Sequence, residues 1–410
     1  MKFSTDHIMY GGDYNPDQWL DRPDILEEDI RLMKLAGVNV VSTGIFAWQS
    51  LEPSDGDYQF DWMEEIINRL YENGISTIMA TPSGARPHWL ADKYPDVLRK
   101  DKNRTKMLFG HRHNHCFTSK SYRKKVHDMN KKLAERFDQN PAVVLWHISN
   151  EYGGECHCEL CQEAFRAFLK KRYGNIEALN RAWNNTFWSH RYDSFEQVES
   201  PTEIGEMSIH GLNLDWKRFV SYQTTDFCKA EIEALREGGA KKPATTNMMY
   251  FFNGINYHEL ADVIDITCWD NYPNWHKGDN AHVAMDTALM HDIMRSLKRQ
   301  PFLLMESCPG SANWKKVSKL PKPGMMEAAG LLAVAEGSDS IQYFQMRKGR
   351  GGEEKFHGAL IDHYGKEDDR VFEECKRLGD DLPSLKELTG SEVKAEVAVI
   401  YDWENRWALG

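Results

Sequence analysis

VVLWHISNEYGGECHCELC spans residues 143–161. Val143 to Ile148 is largely apolar and does not alternate cleanly. A strand buried on both faces of a parallel sheet reads this way. The run stops at Asn150-Glu151, and a C-x-C-x-x-C cluster follows. FLLME, residues 302–306, has the same character and also ends on a glutamate. Further strand candidates are His7–Tyr14, Val38–Thr43, Ser76–Thr81, Pro243–Met248, Val263–Trp269 and Ser340–Gln345. Between them lie helical patterns: Asp24–Ala36, Trp62–Asn73, Ser121–Gln139, Glu159–Tyr173, Leu214–Gly238 and Ala281–Lys298. Eight strands alternating with helices predict an α/β fold of the (β/α)₈ TIM-barrel type. The interval from Glu151 to Pro243 is the longest and must hold extra structure. Asn271 to His276 and the stretch after Trp314 read as long loops at the catalytic face.

The tail reads differently. After Thr389-Gly390, residues Val393–Tyr401 predict a ninth strand, one too many for the barrel. The expected division is a catalytic barrel over residues 1–391 and the start of a second, truncated domain over 392–410. The 410 residues are 41% hydrophobic and 28% charged, which is globular composition, and the net charge of −11 argues against nucleic acid or an anionic membrane as partner. No N-terminal apolar run of a signal peptide and no membrane-length apolar stretch is present, so a cytoplasmic location is expected. Thirteen Trp, 16 Tyr and 18 Phe suit a cleft that stacks sugar rings, although large cores also use aromatics.

The C-terminal ends of barrel strands hold catalytic groups. Glu151 follows strand four and Glu306 ends strand seven, so both face one mouth. Strand-end acids are ordinarily just solvated. Here each closes an apolar run at the same face, and Glu151 follows an asparagine whose amide can hold a sugar hydroxyl. Two carboxylates flanking a bond suggest glycoside hydrolysis, with retention at a separation of about 5–5.5 Å and inversion at roughly 6.5–9.5 Å.

Several segments extend this reading: GGDYNPDQW, FAWQSLEPSDGDYQFDW, RHNHCFTS, WHISNEYGGECHCELC, CWDNYP and LLMESCPGSANW. Together they resemble glycoside hydrolase family 42, the β-galactosidases, from about Met9 to the end of the chain. The resemblance implies a retaining exo-β-D-galactosidase with Glu151 as general acid/base and Glu306 as nucleophile. It further implies substrate contacts from Arg112, Asn150, Tyr272, Trp314, Glu354 and His357, with Trp188 a weaker candidate. Family members carry a trimerisation domain after the barrel, so a homotrimer is expected of the full-length protein, acting on a galactoside or oligosaccharide.

Cys156, Cys158 and Cys161 are too close together for ordinary bridges and read as metal ligands. Cys116, in the loop after strand three, is the best fourth ligand, and the family resemblance supports that set. A closed four-thiolate zinc site is structural, not catalytic. A three-cysteine site with an open position, helped by His157 or His115, is the alternative, as are plain reduced thiols. The competing functions are another retaining barrel glycosidase (endo-glucanase, mannanase or α-L-arabinosidase type), a zinc-dependent hydrolase, and a non-catalytic sugar-binding barrel.

Overall fold

The computed structural model describes residues 3–275 and 278–410. Its strands are β1 (Met9–Asp13), β2 (Val40–Thr43), β3 (Ser76–Ala80), β4 (Val143–His147), β5 (Ala244–Thr245), β6 (Asn247–Met248), β7 (Cys268–Asn271), β8 (Phe302–Ser307) and β9 (Ser338–Tyr343). They form one sheet in the order β5-β4-β3-β2-β1-β9-β8-β7-β6, and every pair is parallel. β5 and β6 are halves of a single strand broken at Thr246. One half pairs with β4 and the other with β7. The two ends of the sheet are therefore the same piece of chain, and the ring closes as an eight-stranded barrel. β7, β8 and β9 are barrel strands six, seven and eight.

The barrel interior is filled by Met9, Val40, Ile78, Leu145, Ile266, Cys268, Leu303 and Met305, one or two from most strands. Outside it, helices pack their apolar stripes. In Asp61–Glu72 the buried residues are Met63, Ile66, Ile67 and Leu70, at the i, i+3, i+4, i+7 spacing that places them on one face. Lys120–Phe137 begins at Ser119, whose side chain accepts from the Tyr122 amide at 3.0 Å, a cap that contributes about 1 kcal/mol. Close approach of backbones is visible at β1. A Cβ on Gly11 would sit 1.7 Å from the Val40 carbonyl oxygen, and one on Gly12 would sit 1.9 Å from that of Tyr343. Only glycine lets β1 lie against both neighbours there.

The long excursion after β4 holds helices Glu159–Tyr173, Ile176–Trp183 and His210–Glu237, with an apolar cluster of their own around Phe165, Trp183, Trp216 and Phe219. Two expectations need correction. Val263–Trp269 is not a strand over its whole length. Its first residues turn, and the regular strand begins at Cys268, although the Asp265 N–H already donates to the Ala244 carbonyl at 2.8 Å and the Thr267 carbonyl accepts from the Leu303 N–H at 2.9 Å. Ile264 and Ile266 are buried as core residues, so they imitate strand patterning ahead of the regular ladder. Val393–Tyr401 forms no strand, because no strand lies beside it among the described residues to complete a ladder. The chain instead continues into the helix Trp403–Leu409. Trp403 and Trp407 are buried against the barrel, and their indole N–H groups donate to the carbonyls of Phe252 (3.2 Å) and Asn253 (2.7 Å). Among the described residues no helix is long and apolar enough to cross a membrane.

Candidate active site

The chain leaves β4 through a strained turn. Ser149 and Glu151 both have positive φ, 55° and 40°, which costs non-glycine residues energy unless their surroundings over-determine it. They do. The Ser149 amide donates to Thr81 Oγ1 at 2.8 Å, the Glu151 amide donates to Asn247 Oδ1 at 2.7 Å, and the Tyr152 hydroxyl donates to the buried Glu231 carboxylate. The turn aims Glu151 into the barrel mouth, where Arg112 Nη2 donates to its Oε2 at 2.7 Å.

Glu306 comes from β8, whose register sets it opposite Asp270 of β7. The Tyr272 hydroxyl donates to Glu306 Oε2 at 2.5 Å. Asn247 Nδ2 donates to Glu306 Oε1 at 3.0 Å and to Asp270 Oδ2 at 2.6 Å. With its amide oxygen turned to Arg112 Nη1 at 3.0 Å, Asn150 donates to Glu306 Oε1 at 3.3 Å. Carboxylate oxygens of Glu151, Asp270 and Glu306 lie within 4.8 Å of one another. Burial pushes Glu306 well above the usual carboxylate range, and Asp13 and Glu151 add to the rise. The Tyr272 hydroxyl and the Arg112 guanidinium pull it back. Burial also lifts Asp13, at the end of β1, to about 7, against the Ser42 hydroxyl that donates to it.

A cavity of about 720 Å³ opens above these groups. Its wall includes Arg112, Glu151, Glu306, Tyr272, Trp314 and Glu354. Trp314 stands edge-to-face with Tyr272 at 5.4 Å and keeps 57% of its surface exposed, so one indole face is open to a ligand. Lys315 braces this corner: its Nζ donates to the carbonyls of Tyr272 and Pro273 at 3.1 Å each. Asn150 sits beneath, between Arg112 and Glu306. His357 is brought close but lies one layer behind the wall, fully buried edge-on to Tyr272 and Phe344. Trp188 is far more exposed, stacked on Phe187 in the excursion, and does not line the cavity. His276, the far end of one expected loop, lies outside the described residues.

Asn247 and Asp270 were not singled out from the sequence. Asp270 stands inside CWDNYP, two residues before Tyr272. Asn247 is a polar residue within the buried run ATTNMM, and that was the available signal: an amide in a barrel strand needs partners.

The four thiols Cys116, Cys156, Cys158 and Cys161 are all buried, with their sulfurs within 4.8 Å of one another. Cys116 Sγ is 3.6 Å from Cys158 Sγ and 3.5 Å from Cys161 Sγ. A zinc–sulfur bond of about 2.3 Å in a tetrahedron sets sulfurs roughly 3.8 Å apart, so the set fits that ion. Gln223 Nε2 donates to Cys161 Sγ at 3.6 Å. His157 and His115 are engaged elsewhere: His157 stacks on Trp216 and bonds Ser200, and His115 stacks on Tyr122. The buried guanidinium of Arg99 joins the two cysteine-bearing loops. It donates to the carbonyls of His115 (2.5 Å) and Gly153 (2.8 Å) and offsets thiolate charge.

The fold and the site together are a closed parallel barrel with two carboxylates converging over strands four and seven. The chain belongs to glycoside hydrolase family 42, whose profile, described as beta-galactosidase, matches residues 13–385. It is 54% identical over 403 residues to the beta-galactosidase BglY of Alicyclobacillus acidocaldarius, covering 98% of this chain and 59% of that protein. It is 51% identical to the beta-galactosidase GalA of Bacillus licheniformis, covering 98% of this chain and 61% of that one. The crystal structure of the beta-galactosidase from Rahnella sp. R3 superposes with a TM-score of 0.98 at 54% identity, covering all of this chain and 61% of that one. The chain thus spans about 60% of the length of the relatives it matches.

Proposed function

We propose that this chain is the catalytic barrel of a retaining exo-β-D-galactosidase. The observation that carries the reading is the separation of the Glu151 and Glu306 carboxylates, whose oxygens approach within 4.8 Å. That spacing leaves no room for a water between Glu306 and the anomeric carbon, and it suits double displacement. Glu306 Oε attacks the anomeric carbon as the glycosidic bond breaks, and protonated Glu151 gives its proton to the leaving oxygen. A galactosyl ester on Glu306 results. Glu151, now ionised, takes a proton from water; the water oxygen bonds the anomeric carbon, the ester breaks, and Glu306 is regenerated. Trp314 supports a stacked sugar ring, and Glu354 supports hydroxyl recognition away from the reacting carbon.

Arg112, Asn150 and Tyr272 hold the two acids, and His357 acts by backing Tyr272. Zinc on Cys116, Cys156, Cys158 and Cys161 belongs to the same proposal as a structural ion. When bound it supplies a fixed tetrahedral clamp and no chemistry. A boundary near residue 392 is supported by Val397, Val399 and Ile400, which are exposed and ready to pair outside the barrel. Homotrimer assembly and a cytoplasmic location, the latter suited to eight free thiols, complete the reading.

The test is hydrolysis of nitrophenyl β-galactoside, with the released anomer followed by NMR, alongside β-glucoside, β-mannoside and α-arabinoside. β-Galactose appearing first, with Glu306→Gly lowering kcat roughly 10³-fold or more, is expected. α-Galactose first, or normal turnover by Glu306→Gly, contradicts the proposal.

A further inference from the structure

The carboxyls of Glu151, Asp270 and Glu306 crowd one mouth, and Arg112 is the cation that bonds to any of them among the described residues. Three negative charges at this distance inside a buried site repel one another strongly. The partners of the three are unequal. Glu151 has the Arg112 guanidinium. Glu306 has the Tyr272 hydroxyl at 2.5 Å and amide donors from Asn247 and Asn150 at 3.0 and 3.3 Å. Asp270 has only the Asn247 amide on Oδ2, and its Oδ1 is fully buried with no hydrogen-bond partner.

A buried carboxylate oxygen without a donor is the costliest place to put a negative charge. The groups that face Asp270 offer no relief. They are Glu306 from β8, Glu151 after β4, Asp13 from β1, Cys268 on its own strand, and the phenols of Tyr257 and Tyr272. None is a cation. Resting on the galactosidase reading above, we propose that Asp270 is a positioning residue held as a neutral carboxyl, confining the nucleophilic charge to Glu306. Its Oδ2 fixes the Asn247 amide. That amide in turn holds Glu306 through Nδ2 and the Glu151 backbone N–H through Oδ1. Asp270 keeps its proton through both displacement steps and acts through Asn247, while its side chain also forms part of the cavity wall. Burial raises the proton affinity of both Asp270 and Glu306 well above the usual range, and the missing donor on Asp270 Oδ1 is what separates the two.

Asp270→Asn exchanges one neutral acceptor–donor group for another, whereas Asp270→Ala removes the anchor of Asn247. In Asp270→Asn, kcat is expected to fall by several-fold, up to about tenfold, with the acid limb of kcat/KM moving by less than about half a pH unit. In Asp270→Ala, kcat is expected to fall roughly 100-fold at similar KM. An acid limb displaced downward by half a unit or more in Asp270→Asn overturns the proposal. It would mean that a charge on Asp270 had been raising Glu306. Wild-type kcat in Asp270→Ala overturns the positioning role. The infrared C=O stretch of neutral carboxylic acids at pH 7 provides a reading that needs no turnover. Its amplitude is expected to drop in Asp270→Asn, and full amplitude in that variant overturns the proposal. Wild-type galactoside turnover tests the function itself, so the two failures are distinguishable.

Discussion

Glu231 lies behind the strained turn that presents Glu151, almost fully buried, with the Tyr152 hydroxyl donating to it and Asn130 at 3.4 Å. Burial pushes its carboxyl up to about 7, against the hydroxyl and amide donors around it. The folded state thus holds a proton that the unfolded chain releases near pH 4.5. Its contribution to stability is fully present below that pH and is lost as pH rises through about 7. The full change is about 3 kcal/mol. Glu231→Gln lacks this titration. Urea midpoints at pH 4.5 and 8 are expected to show the wild-type advantage over Glu231→Gln shrinking by about that amount as pH rises; an advantage that stays constant contradicts the assignment. At this scale the sequence was legible where a residue closes a run, as Glu151 and Glu306 do. It was not legible where a polar residue sits inside one. Asn247 and Asp270 are strand residues whose importance comes from partners on other strands and loops, 23 to 96 positions away.

The loop after β4 is one element with two ends. At one end Glu151 meets the cavity. At the other, Cys156, Cys158 and Cys161 close on Cys116 from the neighbouring loop, with Arg99 spanning the two. Cys116→Ser is expected to destabilise the protein by about 4 kcal/mol, near the top of the range for one substitution. kcat should change only secondarily while the fold persists. Activity lost on chelation with thermal stability unchanged contradicts a structural role. Element prediction succeeded where chemistry and packing agree. Glu159–Tyr173 is a helix over the residues read from its pattern, and the buried strand Val143–His147 stands out by its apolar run. It failed where apolar residues lie outside a regular ladder. Ile264 and Ile266 lie in a bent segment ahead of the regular strand, and Val393–Tyr401 has strand composition but, among the described residues, no strand beside it. The helix Trp403–Leu409 was missed because its two tryptophans bury against a loop far away in sequence.

The whole molecule is a ring whose closure depends on one broken strand. β5 and β6 complete the sheet, and Asn247, at the start of β6, reaches the Glu306 carboxylate through Nδ2 and the Glu151 backbone N–H through Oδ1. Barrel closure and site assembly thus meet at one residue. The alternation of strands and helices made the barrel legible. The approach of the carboxylates was not, because register and turn geometry set it: Asp270 pairs with Glu306 by ladder register, and Glu151 swings inward at φ 40°. As nucleophile, Glu306 forms a bond to the sugar, and a 2-deoxy-2-fluoro-β-galactosyl fluoride traps that bond for location by peptide mass spectrometry. Time-dependent inactivation is expected, with one 2-deoxy-2-fluorogalactosyl group on the peptide that carries Glu306. A label on Glu151 or Asp270, or sustained turnover of galactosides with Glu306 never labelled, would contradict it.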